Sequence, residues 1–220
     1  GEIGFDPWLH SHKDIISLSE AFASTRISFA PSHNLIDKVW LARPPKTFNK
    51  VMNYPVELAG LSAKEKCQKI AENIRLKKAN SAVITLPDSI AWLLNLRGND
   101  VIHNPILHAF LIIDGEGYVK IFCQNENLPN TINGLENFVK VFILERFEVA
   151  LTKLKGSVLV DETTAPFAVV KILQSNGCKL IMGEDPITLP KACKNPIELR
   201  NARICHKRDA VHMCEFLSWV

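Results

Sequence analysis

Between residues 62 and 182, short apolar runs of strand length alternate with segments whose apolar residues recur at helical spacing. This alternation constrains the fold most, because strands separated by helices build a sheet that carries helices on its faces. Ser62-Ala63-Lys64-Glu65 forms a capping-box pattern, in which serine and glutamate satisfy each other's free backbone N–H groups. Behind it Ala63, Cys67, Ile70, Ala71 and Ile74 recur at helical offsets. Residues 82–86 are expected as a buried strand, with Asp88 capping a short helix through Ile90 to Leu94. Residues 109–113 and 118–122 are expected as a hairpin around Asp114-Gly115-Glu116-Gly117. Then follow a strand at 139–144, a helix at 146–154, a strand at 158–160, a helix at 165–175 and a strand at 179–182. Gly177 suits the left-handed position that ends a helix. The order implies an α/β fold, a mixed β-sheet flanked by helices in three layers.

The flanks are different in kind. Asp6-Pro7 is an N-cap pattern with proline in the first turn, predicting a helix from Trp8 to about Ala23. Residues 27–30 are a strand candidate, and residues 34–40 a short helix. Arg43-Pro44-Pro45-Lys46 through Asn53-Tyr54-Pro55 has three prolines and little periodicity, which predicts a linker and a domain boundary. A second linker is expected at 183–189. Asn195-Pro196-Ile197-Glu198 then opens a helix carrying Ala202, Cys205, Met213, Phe216 and Val220 on one stripe, with Asp209 among them. The chain opens at Gly1 without methionine and closes at Val220 without a helix cap; the expectation is a piece of a longer polypeptide.

Composition narrows the function classes. A net charge of +3 with scattered basic residues gives no stripe for nucleic acid, so no nucleic-acid partner is expected. No run approaches the ~18 to 20 apolar residues of a membrane span, and no membrane partner is expected. The six cysteines show no C-x-x-C pair and mostly sit among apolar neighbours, which favours free thiols in a reducing, cytoplasmic setting.

Chemistry is harder to find. His10 and His12 are two apart and His206 and His212 six apart, so neither pair shares a helix face, and the ordinary expectation for each is a surface or structural role. H-E-x-x-H, G-x-S-x-G, G-x-G-x-x-G and Walker patterns are all absent. One segment reads as more than scaffold: Asp88 to Pro105, where an apolar turn runs into a loop bearing Arg97, Asp100, His103 and Asn104. Such a cluster could line a ligand cleft. Residue types alone favour the plainer alternative, a local Arg97–Asp100 pair beside an Asn104-Pro105 turn.

That same segment, with Ile90-Ala91-Trp92-Leu93-Leu94-Asn95-Leu96-Arg97-Gly98 and Asn104-Pro105, resembles the middle domain of three-domain aminopeptidase P. Gly4-Phe5-Asp6-Pro7-Trp8 resembles the end of that family's first domain, and residues 34–40 with Arg43-Pro44 the passage into its second. Lys191-Ala192-Cys193-Lys194-Asn195, then Glu198, Arg203, His206, Lys207 and Asp209, resemble the first helix of its third, with residues 215–219 near that helix's end.

The resemblance implies a creatinase N-terminal-like α/β fold. It divides the chain into the end of a first domain (1–45), a complete middle domain (46–189) and the first helix of a pita-bread catalytic domain (190–220). The implied activity of the full-length enzyme is metal-dependent removal of an N-terminal residue preceding proline, in a cytoplasmic homodimer. Two divalent metals, usually manganese, would activate water there. Their five ligands in the family lie beyond Val220, so no catalytic or metal residue carries over, and the 220 residues alone are expected to bind no metal and to be inactive. Arg97, Asp100 and His103 are the expected substrate-binding residues, facing the entrance for peptides with proline second. The alternative is a metal-free pita-bread relative that binds peptides or histones. A two-domain creatinase or prolidase is a weaker rival, because the segments around the Arg43–Pro45 linker suit three domains.

Overall fold

The computed structural model describes residues 1–44, 51–124, 128, 135 and 137–220. Its centre is a six-stranded mixed sheet built from β4 (Ser81–Ile84), β6 (Ala109–Asp114), β7 (Val119–Cys123), β8 (Val139–Ile143), β9 (Ser157–Val160) and β10 (Lys179–Met182). The spatial order is β10-β9-β4-β6-β7-β8. β4 and β9 run parallel, as do β9 and β10 and also β7 and β8, whereas β6 is antiparallel to both its neighbours.

Strand alternation divides the core into two layers. Ala82 and Ile84, Leu111 and Ile113, Val119 and Ile121 turn to one face and pack with α4 (Ala63–Leu76) and α5 (Pro87–Leu93). Val83, Ile112, Phe122, Val158 and Val160 turn to the other, against α6 (Arg146–Leu151) and α7 (Phe167–Ser175). The register makes the division consistent: Ile84 pairs Leu111, and Val83 pairs Ile112. A slip of one residue would send each set to the wrong layer.

The amino-terminal residues lean on this second layer. β1 (Glu2–Phe5) and β2 (Ser28–Pro31) form a separate parallel pair. α1 (His12–Ala21) places Ile15 against Phe5 and Phe167. Backbone bonds seal the joint, Phe167 N–H donating to His10 O at 2.9 Å and Ala168 N–H to Pro7 O at 2.9 Å.

The expected helix from Trp8 begins four residues later. Asp6 Oδ1 accepts from Trp8 N–H in a local turn, and Ser11 with Asp14 forms the true capping box. The reason is competition: an aspartate before proline caps a turn as readily as a helix. Asp88 is likewise no cap. Pro87 holds the first helical position behind Leu86, and the Asp88 carboxylate meets Lys191. Within the expected linkers, β3 (Met52–Asn53) pairs antiparallel with β5 (Leu96–Arg97), Val51 is buried, and residues 45–50 lie outside the described set. Between Pro55 and the Ser62 cap a short helix, α3 (Val56–Ala59), intervenes. The residues after Gly183 include α8 (Thr188–Ala192). The other expected elements stand, including α2 (Leu35–Val39) behind its Asn34 cap and Gly177 at φ +75°. α9 (Pro196–Trp219) opens with the expected Asn195–Glu198 capping box.

Candidate functional site

α5 ends where Asn95 enters the left-handed region at φ +52°, a conformation asparagine tolerates better than most residues. Every polar group of Asn95 is then used. Its Nδ2 donates to Leu61 O at 2.8 Å, its Oδ1 accepts from Lys66 Nζ at 2.7 Å, and its carbonyl accepts from Tyr54 N–H at 2.7 Å.

Lys66 is the unusual member, 1% exposed on the inward stripe of α4. Its ammonium donates to Trp92 O at 2.9 Å and lies 4.2 Å from the centroid of the Trp92 ring. Burial lowers its pKa to about 8, against the opposing pull of the Glu198 carboxylate. Trp92 passes the connection onward, its Nε1 donating to Glu198 Oε1 at 3.2 Å. The other oxygen of Glu198 accepts from Asn195 N–H at 2.9 Å, closing the capping box of α9. Asn195 also donates to Ala59 O at 2.8 Å. Gly60, at φ +75°, leaves the room this needs, since a Cβ there would stand 2.5 Å from Asn195 Oδ1. One continuous set of contacts therefore runs from α4 through Trp92 to the first turn of α9.

Arg97 borders this set. Its Nη1 donates to Ala91 O at 3.1 Å and Leu96 O at 2.7 Å, and its guanidinium carbon sits 4.1 Å from the centroid of the Tyr54 ring. Burial holds its pKa below the ordinary value, while Tyr54 and Glu198 oppose that shift. Asp100 is placed differently: its Oδ2 accepts from His108 N–H at 2.8 Å, bracing the base of the loop. His103 stands exposed at the loop tip, with φ +62°. The three sequence candidates thus occupy three settings, a half-buried stacked cation, a loop brace and an exposed tip. Asn104 N–H closes the expected turn on Val101 O at 3.1 Å.

Sequence reasoning missed Lys66, Trp92, Asn95 and Glu198 as one cluster. A signal existed for Lys66, which falls three residues after Ala63 and one before Cys67, on the apolar stripe where a solvated lysine does not belong. Among the described residues, no group of three or more His, Cys, Asp and Glu could hold a metal ion.

Residues 42–198 match the family model described as the creatinase/prolidase N-terminal domain. Over 99% of its length the chain is 32% identical to a probable Xaa-Pro aminopeptidase P from Ajellomyces dermatitidis, of which it spans 38%. Over 99% it is also 28% identical to the Xaa-Pro aminopeptidase ApepP of Drosophila melanogaster, spanning 36% of that protein. A solved X-prolyl aminopeptidase from Caenorhabditis elegans, described as a cytosolic enzyme with a di-nuclear active site, superposes with a TM-score of 0.88 at 26% identity, over 100% of this chain and 37% of that one. The chain spans well under half the length of these relatives. It belongs to the creatinase/prolidase N-terminal domain family, and it is similar along its whole length to Xaa-Pro aminopeptidases.

Proposed function

We propose that these residues form the non-catalytic part of an Xaa-Pro aminopeptidase, setting the entrance and subunit contacts of a catalytic unit that carries the metals. In this reading residues 1–45 close a first domain, 46–189 form the middle domain and 190–220 begin the catalytic one. The full-length enzyme would be a cytoplasmic homodimer using two divalent metals, manganese foremost, to cleave peptides with proline second. Arg97, Asp100 and His103 would face that entrance.

The observation that carries the proposal is the Lys66–Trp92–Glu198 connection. It fixes the first turn of α9 to the sheet domain through a buried cation, an indole and a capping carboxylate. A helix leading into a catalytic unit needs such fixing, because small misplacements of reacting groups weaken catalysis steeply. Arg97, packed on Tyr54 beside it, would transmit or complete that placement.

The test is Arg97→Ala in the full-length enzyme, with kcat and KM measured on an X-Pro peptide. A fall in kcat/KM of about tenfold is expected, the scale of one charge-assisted interaction. Unchanged kinetics would remove Arg97 from the entrance.

A further inference from the structure

A second region carries chemistry that the peptidase reading does not use. Lys120 on β7 pairs directly with Lys140 on the edge strand β8. Both point from the sheet face that bears Ile112 and Phe122, Lys120 beside Arg146 and Val149 of α6. Like charges at adjacent ladder positions oppose each other, so the pairing is unfavourable unless something neutralises it.

Two hollows meet at Lys120. One, of about 460 Å³, has Ile112, Phe138 and Leu154 in its wall and Lys140 and Lys155 beside them. The other, of about 370 Å³, is walled by Phe122, Phe142 and Val149 and carries Arg146 and Lys153. Both volumes fall within the range of small-molecule sites.

Among the described residues, five cations line the two hollows against one carboxylate, Asp114. That carboxylate is engaged: its Oδ1 accepts from Glu116 N–H at 3.0 Å and Tyr118 N–H at 2.9 Å. The α6 carboxylate Glu148 turns instead to a different hollow beside Trp8. Among the described residues, Lys120, Lys140, Arg146 and Lys153 make no ion pair or side-chain hydrogen bond, and Lys155 reaches only Asn176 Oδ1, at 3.5 Å. Phe142 lies stacked on Phe122 at 5.5 Å and is 36% exposed, so it offers an aromatic surface next to the charges.

We propose that this paired hollow binds an amphipathic organic anion, an aromatic or alkyl phosphate or carboxylate. The anionic group would sit between Lys120 and Lys140, and the apolar part on the exposed Phe142 and Val149. Lysine serves such a site as a movable point charge. The apolar wall selects against a bare inorganic anion.

The test titrates 1-naphthyl phosphate into the full chain by calorimetry, with inorganic phosphate and 1-naphthol as the split halves of the probe. Saturable binding of naphthyl phosphate is expected, tighter than either half. Replacing both lysines (Lys120→Gln with Lys140→Gln) should weaken it by about tenfold or more, the scale of a lost charge-assisted bond. Phe142→Ser should weaken naphthyl phosphate while leaving inorganic phosphate unchanged. All three positions are exposed, and circular dichroism verifies that the variants fold. No binding of naphthyl phosphate, or equal binding by wild type and the double-lysine variant, overturns the proposal. Inorganic phosphate binding as tightly as naphthyl phosphate overturns the apolar half. An acidic peptide or oligonucleotide held more tightly through the same lysines would replace the small anion as occupant.

Discussion

Helices α4 and α9 begin with the same device and end in opposite environments. Ser62 with Glu65, and Asn195 with Glu198, each close a reciprocal capping box. Behind its cap α4 buries Ala63, Cys67, Ile70, Ala71 and Ile74 against the sheet. No residue of α9 is buried, and Met213, Phe216, Leu217 and Trp219 are all more than half exposed. A reciprocal capping box is satisfied by atoms within one turn, so these two form whatever surface lies beyond them. A stripe needs a partner surface, and among the described residues that of α4 is covered while that of α9 is not.

The difference can be broken or sharpened by substitution. Ile74→Ala, at 0% exposure, should lower stability by about 2–5 kcal/mol in chemical unfolding, through lost transfer energy and a residual cavity. A loss inside the surface range of about 0.5 kcal/mol would mean that α4 is not the buried helix.

Lys66→Met removes the charge from the buried stripe and leaves Trp92 O and Asn95 Oδ1 without their donor, which costs about 1–3 kcal/mol at neutral pH. The pH dependence has a definite sign. Below pH about 8, folded and unfolded chains both hold the Lys66 proton, and the burial penalty on the ammonium is fully present. Between about 8 and the ordinary value of 10.5 the unfolded chain binds more protons, so wild-type stability should rise with pH relative to the methionine variant. Denaturant midpoints of the two proteins across that window check this. Parallel midpoints would show that Lys66 keeps an ordinary pKa.

The caps come next in size. Ser62→Ala and Asn195→Ala should each cost about 1 kcal/mol. The second should exceed the first, because Asn195 also donates to Ala59 O. Amide exchange in the first turns of the two helices would report each loss locally, and equal effects would deny the tie between α9 and α3. Smallest of all, Phe216→Ser should change the stability of this chain by less than about 0.5 kcal/mol, as an exposed position does. A larger loss would reveal a partner for the α9 stripe.

How far the sequence reached follows from the range of the interactions. The 109–122 hairpin was legible because strand alternation and a turn aspartate are local, and Ile113 indeed faces Val119 across it. The Asp6 and Asp88 caps were misread because a short acid beside proline suits more than one local structure, and packing chose between them. β3 and β5, two residues each, carry no periodicity to read. Arg97 stacks on Tyr54, which lies 43 positions away in sequence, and nothing local announces that contact.

By itself the sequence determined the class of fold, the two capping boxes and the two faces of the central strands, since each depends on atoms within a few residues or on a period of two. The family resemblance was also written there, in motifs that recur in order along the whole chain. Tertiary structure alone decided which lysine is buried, that Trp92 bridges Lys66 to Glu198, and that Lys120 and Lys140 face each other across β7 and β8. These depend on where distant segments meet. A side chain's charge, solvation and partners are properties of that meeting and of no single stretch of chain.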